Sequence, residues 1–436
     1  MPITVAIIGS GPAGFYTADA LMSADCDIQI DIIERLPTPY GLIRGGVAPD
    51  HQTTKRVAKK YEKTALEEGV RFFGNVEVNK DVSLAELRGI YDAVVLAVGA
   101  PGDNKLTIPG AGMEGVHGSA AFVGWYNGHP DFRDLEPDID VDAAVVIGNG
   151  NVAIDVGRVL VQSRRGMAHA DIAAHAMDAI EASGVSDVYI AGRRGPLDAK
   201  FTNVELRELG ELDNAVALSK PEQLPDTVPE SMDGREARLA QRNLDRLKDY
   251  ARNDPVSKPK RLHFEFFASP VEILGTDRVE GVRFERTEVK DGRAVGAGTF
   301  FDIPCGLVVP AIGYRSEPID GAPFDEKRGI IPNDNGRVDE GLYVVGWIKR
   351  GPTGVISSNR PDGVTVAEYI CKDFKAGGGK PGRTALTPLL KERDVRVVSF
   401  DDWRKIDEAE QARAGGPHQP REKFVTVRDM LGVLDG

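Results

Sequence analysis

The chain has 436 residues, 41% of them hydrophobic, which suits two or three domains at ~150 residues each and is far from a disordered composition. Its 54 basic and 67 acidic residues leave a net charge of −13, which argues against a general nucleic-acid binder while leaving room for a local basic patch. The cysteines, Cys26, Cys305 and Cys371, lie far apart without CxxC spacing, so zinc ribbons, iron–sulfur clusters and a dithiol motif are not expected, and a reducing compartment is.

No apolar run approaches the ~18 residues of a membrane span. An apolar run already starts at Ile3 and leaves no room for a targeting segment ahead of it, so a cytoplasmic location is expected. No metal site is expected either, since His117, His129, His169 and His175 have no clear metal partners.

Residues 3–8 read ITVAII, a β-branched run suited to a buried parallel strand. Gly9-Ser10-Gly11-Pro12-Ala13-Gly14 follows at once, then FYTADALMSA as a helix and IQIDIIE as a second strand ending on Glu34. Strand, G-x-G-x-x-G, helix, strand and acid in that order match a dinucleotide fingerprint. Gly9, Gly11 and Gly14 make the tight turn and let the backbone approach a pyrophosphate at the helix N-terminus. Glu34 is placed to accept hydrogen bonds from a ribose diol, as in an FAD or NAD site.

The pattern recurs at 143–147, AAVVI, followed by Gly148-Asn149-Gly150-Asn151-Val152-Ala153 and the helix IDVGRVLVQS. The next strand, VYIAG at 188–192, ends on Arg193-Arg194 rather than on an acid. Arginines at that place replace a diol acceptor with donors for a 2′-phosphate, so this site reads as one for NADP.

Two further strands, YDAVVLAVGA (91–100) and CGLVVPAIGY (305–314), end in small residues and glycine, as crossings between two nucleotide domains do. RLHFEFFASPVEILG and VEGVRFERTEV read as antiparallel strands appended to the second domain. From Arg235 to Arg261 the chain holds nine basic and four acidic residues, a basic face for an acidic acceptor with Arg207, Arg238 and Arg242 as its best candidates. Late in the chain, 341–356 reads as a strand, a tight turn and a glycine-rich helix start. The polar stretch 376–436, with AGGGKPGR at 376–383 and AGGPHQPRE at 414–422, is expected to wrap the first domain.

GSGPAGFYTA (9–18), PYGLIRGGVAPDH (39–51), FFGNVEV (72–78), FVGWYN (122–127), VVIGNGNVAIDV (145–156), GRRGPLDAKFTNVELREL (192–209) and VGWIKRGPTGVI (345–356) together resemble one family, in family order and over nearly the whole chain. They are similar to the adrenodoxin reductase-type ferredoxin–NADP reductases, including actinobacterial members. Two departures stand out: Ser357-Ser358-Asn359-Arg360 replaces a Gly-Thr-Asn-Lys-like run, and Asn104 stands where an arginine is usual.

The resemblance implies an α/β fold of two Rossmann-like three-layer domains, for FAD and NADP, on the glutathione-reductase-like plan. The FAD domain would be discontinuous, 1–103 and 325–436, around an inserted NADP domain at 104–324. Ala13, Leu42 and Val76 would line FAD, with Glu34 on its adenosine ribose. Trp347, Gly354, Val355 and Ile356 would lie at the isoalloxazine and ribityl end. Asn149, Gly150, Asn151 and Val152 would cradle the NADP pyrophosphate, with Arg193, Arg194 and Glu205 at the 2′-phosphoadenosine end. His51 and Glu208 are the polar candidates beside the flavin. The implied activity passes electrons from NADPH through FAD to a one-electron iron–sulfur acceptor of ferredoxin type, or the reverse. Thioredoxin-reductase-like and glutamate-synthase-type flavoproteins share the plan. The first needs a redox dithiol and the second a cysteine-rich region.

Overall fold

In the computed structural model, which describes residues 2–375 and 378–435, Ile3–Ile8 is a strand buried along its whole length. It is the centre of a six-stranded sheet in the order Arg337–Asp339, Leu342–Val344, Ala93–Leu96, Ile3–Ile8, Ile28–Glu34, Val70–Gly74. All neighbours are parallel except the edge pair Arg337–Asp339 and Leu342–Val344. Alternate residues feed opposite faces: Val5, Ile7, Ile30 and Ile32 enter one core, and Ala6, Ile8, Ile33 and Leu96 the other. A sheet buried on both faces has to be continuously apolar, which is why these strands read as unbroken runs.

A second sheet has five strands, all parallel, in the order Leu307–Pro310, Ala143–Ile147, Asp187–Ala191, Lys260–Glu265, Ala215–Leu218. It too has two buried faces, with Val146, Ile190 and Phe264 on one and Val145, Ile147 and Ala191 on the other. One expectation is corrected here. RLHFE is a parallel member of this sheet, and only Ala268–Gly275, Val279–Lys290 and Arg293–Pro304 form the antiparallel appendage. The strand pairs along both edges, with Asp187–Ala191 and Ala215–Leu218, and buries Leu262 and Phe264 in one core while Arg261 and His263 on its other face stay half-buried, so its sequence alternates although it is interior.

The chain divides into two compact units. One holds residues 1–47, 51–102 and 313–436; the other holds 48–50 and 103–312. The return crossing therefore comes before the expected 324/325. Ser316 donates to the Gly99 carbonyl at 2.9 Å, and Ile319, Ala322 and Phe324 pack on the core around Val82 and Leu84, so these residues belong with the first unit.

The C-terminal stretch does more than wrap. Its helices Arg383–Glu392 and Phe400–Ala412 place Leu386, Leu390, Trp403 and Ile406 in the cores of the first unit. Ala376 and Gly377, the first residues of AGGGKPGR, lie outside the described residues.

The expectation of a reducing compartment loses its ground in the cysteines. Cys26 and Cys371 form a disulfide, with Cα atoms 6.1 Å apart across 345 residues of sequence, because the helix Pro12–Met22 packs against Arg360–Asp373. Cysteine usage therefore gives no argument for a reducing compartment. Cys305 is buried, and burial pushes its thiol up to about 12, so it is unreactive.

Candidate functional site

The first fingerprint folds as its spacing demands. Gly9 has φ +104, and a Cβ there would sit 2.6 Å from the Ala97 carbonyl oxygen, so only glycine makes this turn. Helix Pro12–Met22 then starts with no side-chain cap, leaving its first amides for a ligand. A Cβ on Gly11 would meet only the Gly41 Cα, at 4.0 Å, so the turn opens onto free space.

Glu34 ends its strand beside this turn. Its Oε2 accepts from Ser10 N at 3.1 Å and Ser10 Oγ at 2.7 Å, and its Oε1 from Leu36 N at 3.2 Å. The carboxylate is thereby aimed by its neighbours and holds lone pairs for a diol. Val76, buried, hands its N–H to the Glu34 carbonyl at 2.9 Å.

The late segment converges on the same place. Gly346 has φ +76, and a Cβ on it would lie 2.6 Å from the Cβ of Ala13. Asp362 accepts from Gly346 N at 3.1 Å and from Lys349 Nζ at 2.8 Å, and it also pairs with Arg350, which pins the turn. Trp347 donates from its indole to the Thr353 carbonyl at 3.2 Å, with the Tyr314 ring 5.8 Å away. Ser358 Oγ accepts from Val355 N at 2.9 Å, so the Ser357-Ser358 departure is used to shape the Gly354–Ile356 turn. Leu42 is 41% and Val355 60% exposed. Exposed apolar side chains next to a glycine turn and an aimed carboxylate fit a flat dinucleotide with an apolar ring system.

The second fingerprint has the same build. Gly148 has φ +145, Gly150 has no atom within 4 Å of a built Cβ, and helix Asn151–Val161 starts without a side-chain cap. The Asn149 side chain occupies the space where Gly192 would carry a Cβ. Its Oδ1 is buried without a hydrogen-bond partner, an orphan that a bound ligand would satisfy. Lys200 N donates to the Asn149 carbonyl at 2.7 Å and Thr202 N to Asn151 Oδ1 at 2.8 Å, tying the turn to the segment after the arginines. Val152 is half-buried at the start of the helix and packs against the core of this unit.

Arg193 and Arg194 leave the end of Asp187–Ala191. Arg193 is exposed; Arg194 is half-buried and reaches Asp198 at 3.3 Å. Glu205 accepts from Thr202 Oγ at the start of helix Asn203–Glu208, and among the described residues no ion pair joins it to Arg193 or Arg194. This donor set, two cations at a strand end and an open glycine turn, suits a phosphorylated adenosine.

His51 precedes the short helix Gln52–Lys55 in the first unit, and Glu208 ends helix Asn203–Glu208 in the second. The sequence reading missed what surrounds Glu208. Arg158, 2% exposed in the middle of Asn151–Val161, pairs with Asp50, with Asp155 at 2.8 Å and with Glu208 at 3.8 Å. Burial pushes the guanidinium down to about 10 against the pull of Glu208 and Glu205, so it stays charged at neutral pH. This ion pair, with Asp171 N donating to the Pro49 carbonyl at 3.1 Å, explains why residues 48–50 count with the second unit. The signal was present in IDVGRVL: an arginine on the buried face of an apolar helix needs carboxylates.

The Cys26–Cys371 disulfide does not supply the dithiol of a thioredoxin reductase. Cys26 lies beyond the C-terminal end of Pro12–Met22, about 16 Å along the helix axis from the glycine turn. Among the described residues no group of histidine, cysteine and acidic side chains is arranged to hold a metal.

Two dinucleotide folds, one with an acid and one with arginines at the diagnostic strand end, define a flavoprotein oxidoreductase that uses a pyridine nucleotide. The pyridine nucleotide-disulphide oxidoreductase family profile matches residues 3–190. The chain is 42% identical to the mitochondrial NADPH:adrenodoxin oxidoreductase of Arabidopsis thaliana, over 99% of this chain and 95% of that one. It is 41% identical to the NADPH-ferredoxin reductase FprA of Mycobacterium tuberculosis, over 99% of both. A solved structure of that FprA in complex with NADPH superposes with a TM-score of 0.95 at 40% identity, covering 100% of each chain. The chain belongs to the adrenodoxin reductase-type ferredoxin–NADP reductases, oxidoreductases with FAD and NADP as their cofactors.

Proposed function

We propose that this protein is an FAD-dependent ferredoxin–NADP(+) reductase linking NADPH to a one-electron iron–sulfur acceptor of ferredoxin type. The observation that carries the reading is the contrast between the two strand ends: Glu34 held by Ser10 in one unit, and Arg193-Arg194 in the other. Bound FAD supplies a centre that takes two electrons together and releases them singly.

The chain's own residues bind and orient. In this reading 1–103 with 325–436 is the FAD domain and 104–324 the NADP domain, with crossings shifted as the two units divide. Gly9, Gly11 and Gly14 admit the FAD pyrophosphate to the first helix N-terminus, and Glu34 accepts from the ribose hydroxyls. Ala13, Leu42 and Val76 line that cofactor, with Trp347 and Gly354 to Ile356 at its ring and ribityl end. Asn149, Gly150, Asn151 and Val152 take the NADP pyrophosphate, and Arg193 and Arg194 its 2′-phosphate. Glu205 accepts from an adenosine ribose hydroxyl. His51 and Glu208 are the groups proposed to hold or move a proton near the flavin, Glu208 being fixed by Arg158.

The purified protein should be yellow, lose its flavin on acid precipitation, be bleached by NADPH and reduce a ferredoxin. Flavin-free protein that resists reconstitution sinks the reading. A cytoplasmic location is part of the proposal, since the reading needs NADPH and a ferredoxin in the same compartment. Cell fractionation, with thiol labelling of Cys26 and Cys371, tests that part.

A further inference from the structure

We propose that Thr287, in the antiparallel appendage, and Phe267, in the turn that enters it, are positioning residues for coenzyme discrimination: they fix the backbone from which Arg193 and Arg194 project. The inference rests on the reading of those arginines as 2′-phosphate ligands and adds what makes them effective.

Three successive carbonyls leave the strand Asp187–Ala191, and the appendage with its entry turn holds every one. The Gly192 oxygen accepts from Ala268 N at 3.0 Å, the Arg193 oxygen from Thr287 Oγ at 2.7 Å, and the Arg194 oxygen from Phe267 N at 3.2 Å. Gly192 N in turn donates to the Glu265 carbonyl at 2.9 Å. The turn carrying the arginines is thus bonded along its length, although it is a surface loop and Arg193 is exposed.

The holding residues are themselves held. Phe267 has φ +54, an uncommon conformation for an aromatic residue, and such conformations persist where surroundings over-determine them. Its carbonyl accepts from Thr287 N at 3.0 Å, and its ring lies 2.6 Å from where Gly195 would place a Cβ. Thr287 is 7% exposed and sits at the register shift after Glu285 in the pairing with Arg293–Pro304. A bulge re-aims the side chain that follows it. Next to Thr287, Arg286 pairs with Glu265 at 2.5 Å, and Glu265, 1% exposed, also takes Lys220 at 2.6 Å and Gln223 at 2.8 Å.

Long arginine side chains deliver a fork to a phosphate with less ordering cost when their Cα atoms are already fixed. A nicotinamide nucleotide without the 2′-phosphate gains nothing from that fixation. The frame should therefore show itself as discrimination, whereas a merely structural role would weaken every ligand alike.

The test is calorimetric titration of the FAD-loaded enzyme with adenosine 2′,5′-bisphosphate and, as control, adenosine 5′-monophosphate, together with KM values for NADPH and NADH. Thr287→Val, which loses the hydroxyl and keeps the shape, should weaken the bisphosphate roughly five- to tenfold, the worth of one buried hydrogen bond. KM for NADPH should rise in step while the monophosphate and NADH stay within about twofold. Thr287→Ser should restore wild-type values. Parallel loss of both probes, or an unmoved bisphosphate, overturns the inference. If Thr287→Val sheds its flavin, Thr287→Ala, which also loses the hydroxyl, gives the same reading. Arg193→Ala with Arg194→Ala separates the layers. If that variant keeps its bisphosphate affinity, the 2′-phosphate reading fails. If it loses affinity while Thr287→Val does not, only the positioning role fails.

Discussion

Arg44 and Glu410, 366 residues apart in sequence, form a two-pronged ion pair at 2.8 and 2.5 Å, with the Glu410 carboxylate fully buried. Arg44 belongs to the YGLIRGG segment proposed to line the flavin. Its guanidinium also lies 5.2 Å from the Trp403 ring centroid, and Lys423 Nζ donates to its carbonyl at 3.2 Å. Glu410 accepts from Phe424 N at 2.9 Å as well. The helix Phe400–Ala412 is therefore a clamp on the segment that carries Leu42.

Glu410→Gln should break that clamp. Removing one partner of a buried pair leaves the other charge uncompensated, at about 3 kcal/mol or more. Urea unfolding of the FAD-loaded protein should show the loss, and flavin should dissociate faster from the variant at temperatures where it is still folded. Unchanged flavin release with lowered stability would mean the clamp serves the fold alone.

On the basic segment, intrachain pairs absorb some charge and spare the rest. Arg246 and Arg252 reach Asp249 at 3.7 and 3.4 Å, and Arg261 is bonded to Asp187. Arg207 lies 3.6 Å from Glu211. Arg235, Arg238 and Arg242 stay exposed along one side of helix Gly234–Tyr250 and form no ion pair among the described residues. Reversing Arg238 and Arg242 to glutamate should slow ferredoxin reduction about tenfold or more at low salt and flatten its salt dependence, with ferricyanide reduction unchanged. An equal fall with the small dye would assign the patch to NADPH or to the fold.

Turnover should need no thiol. Replacing Cys26, Cys305 and Cys371 by alanine together should leave most of the NADPH–ferricyanide rate. The same variant should lose about 2–4 kcal/mol of stability under oxidising conditions, since the disulfide closes a loop of most of the chain. Reductant should bring wild type toward the variant in urea unfolding. A variant that keeps its flavin and fold but loses the ferricyanide rate would reject a thiol-free mechanism.

Stability should fall on mild acidification because of half-buried histidines, His117 and His175 among them. Burial holds His117 and His175 below their ordinary 6.5; for His175 nearby Arg133 adds to the effect. The unfolded chain protonates both as pH drops through about 6.5, while the folded chain does so only at lower pH, so their contribution is intact above that value and declines below it. Each lowers stability by at most about 1.4 kcal/mol per pH unit across that window. Melting curves at pH 7.5 and 5.5 should show a smaller drop for His175→Gln than for wild type. An identical drop would mean His175 binds protons equally in both states.

The two fingerprints were legible because their causes are local. A turn that only glycine can make, the helix it opens, and the residue at the next strand end all lie within a few dozen positions, so Glu34 and Arg193-Arg194 could be placed from spacing alone. The buried parallel strands were equally plain, since cover on both faces demands unbroken apolar runs. Lys260–Glu265 was misplaced because alternation in RLHFE looks the same in an edge strand and in an interior one whose ends carry ion pairs. Tertiary structure alone decided which distant charges and thiols meet. Asp50 with Arg158, Arg44 with Glu410, and Cys26 with Cys371 join segments whose approach follows from the packing of whole helices and sheets. Charge acts through space, so one sequence offers many carboxylates to each arginine, and only the folded core selects the few that are close, desolvated and therefore strongly coupled.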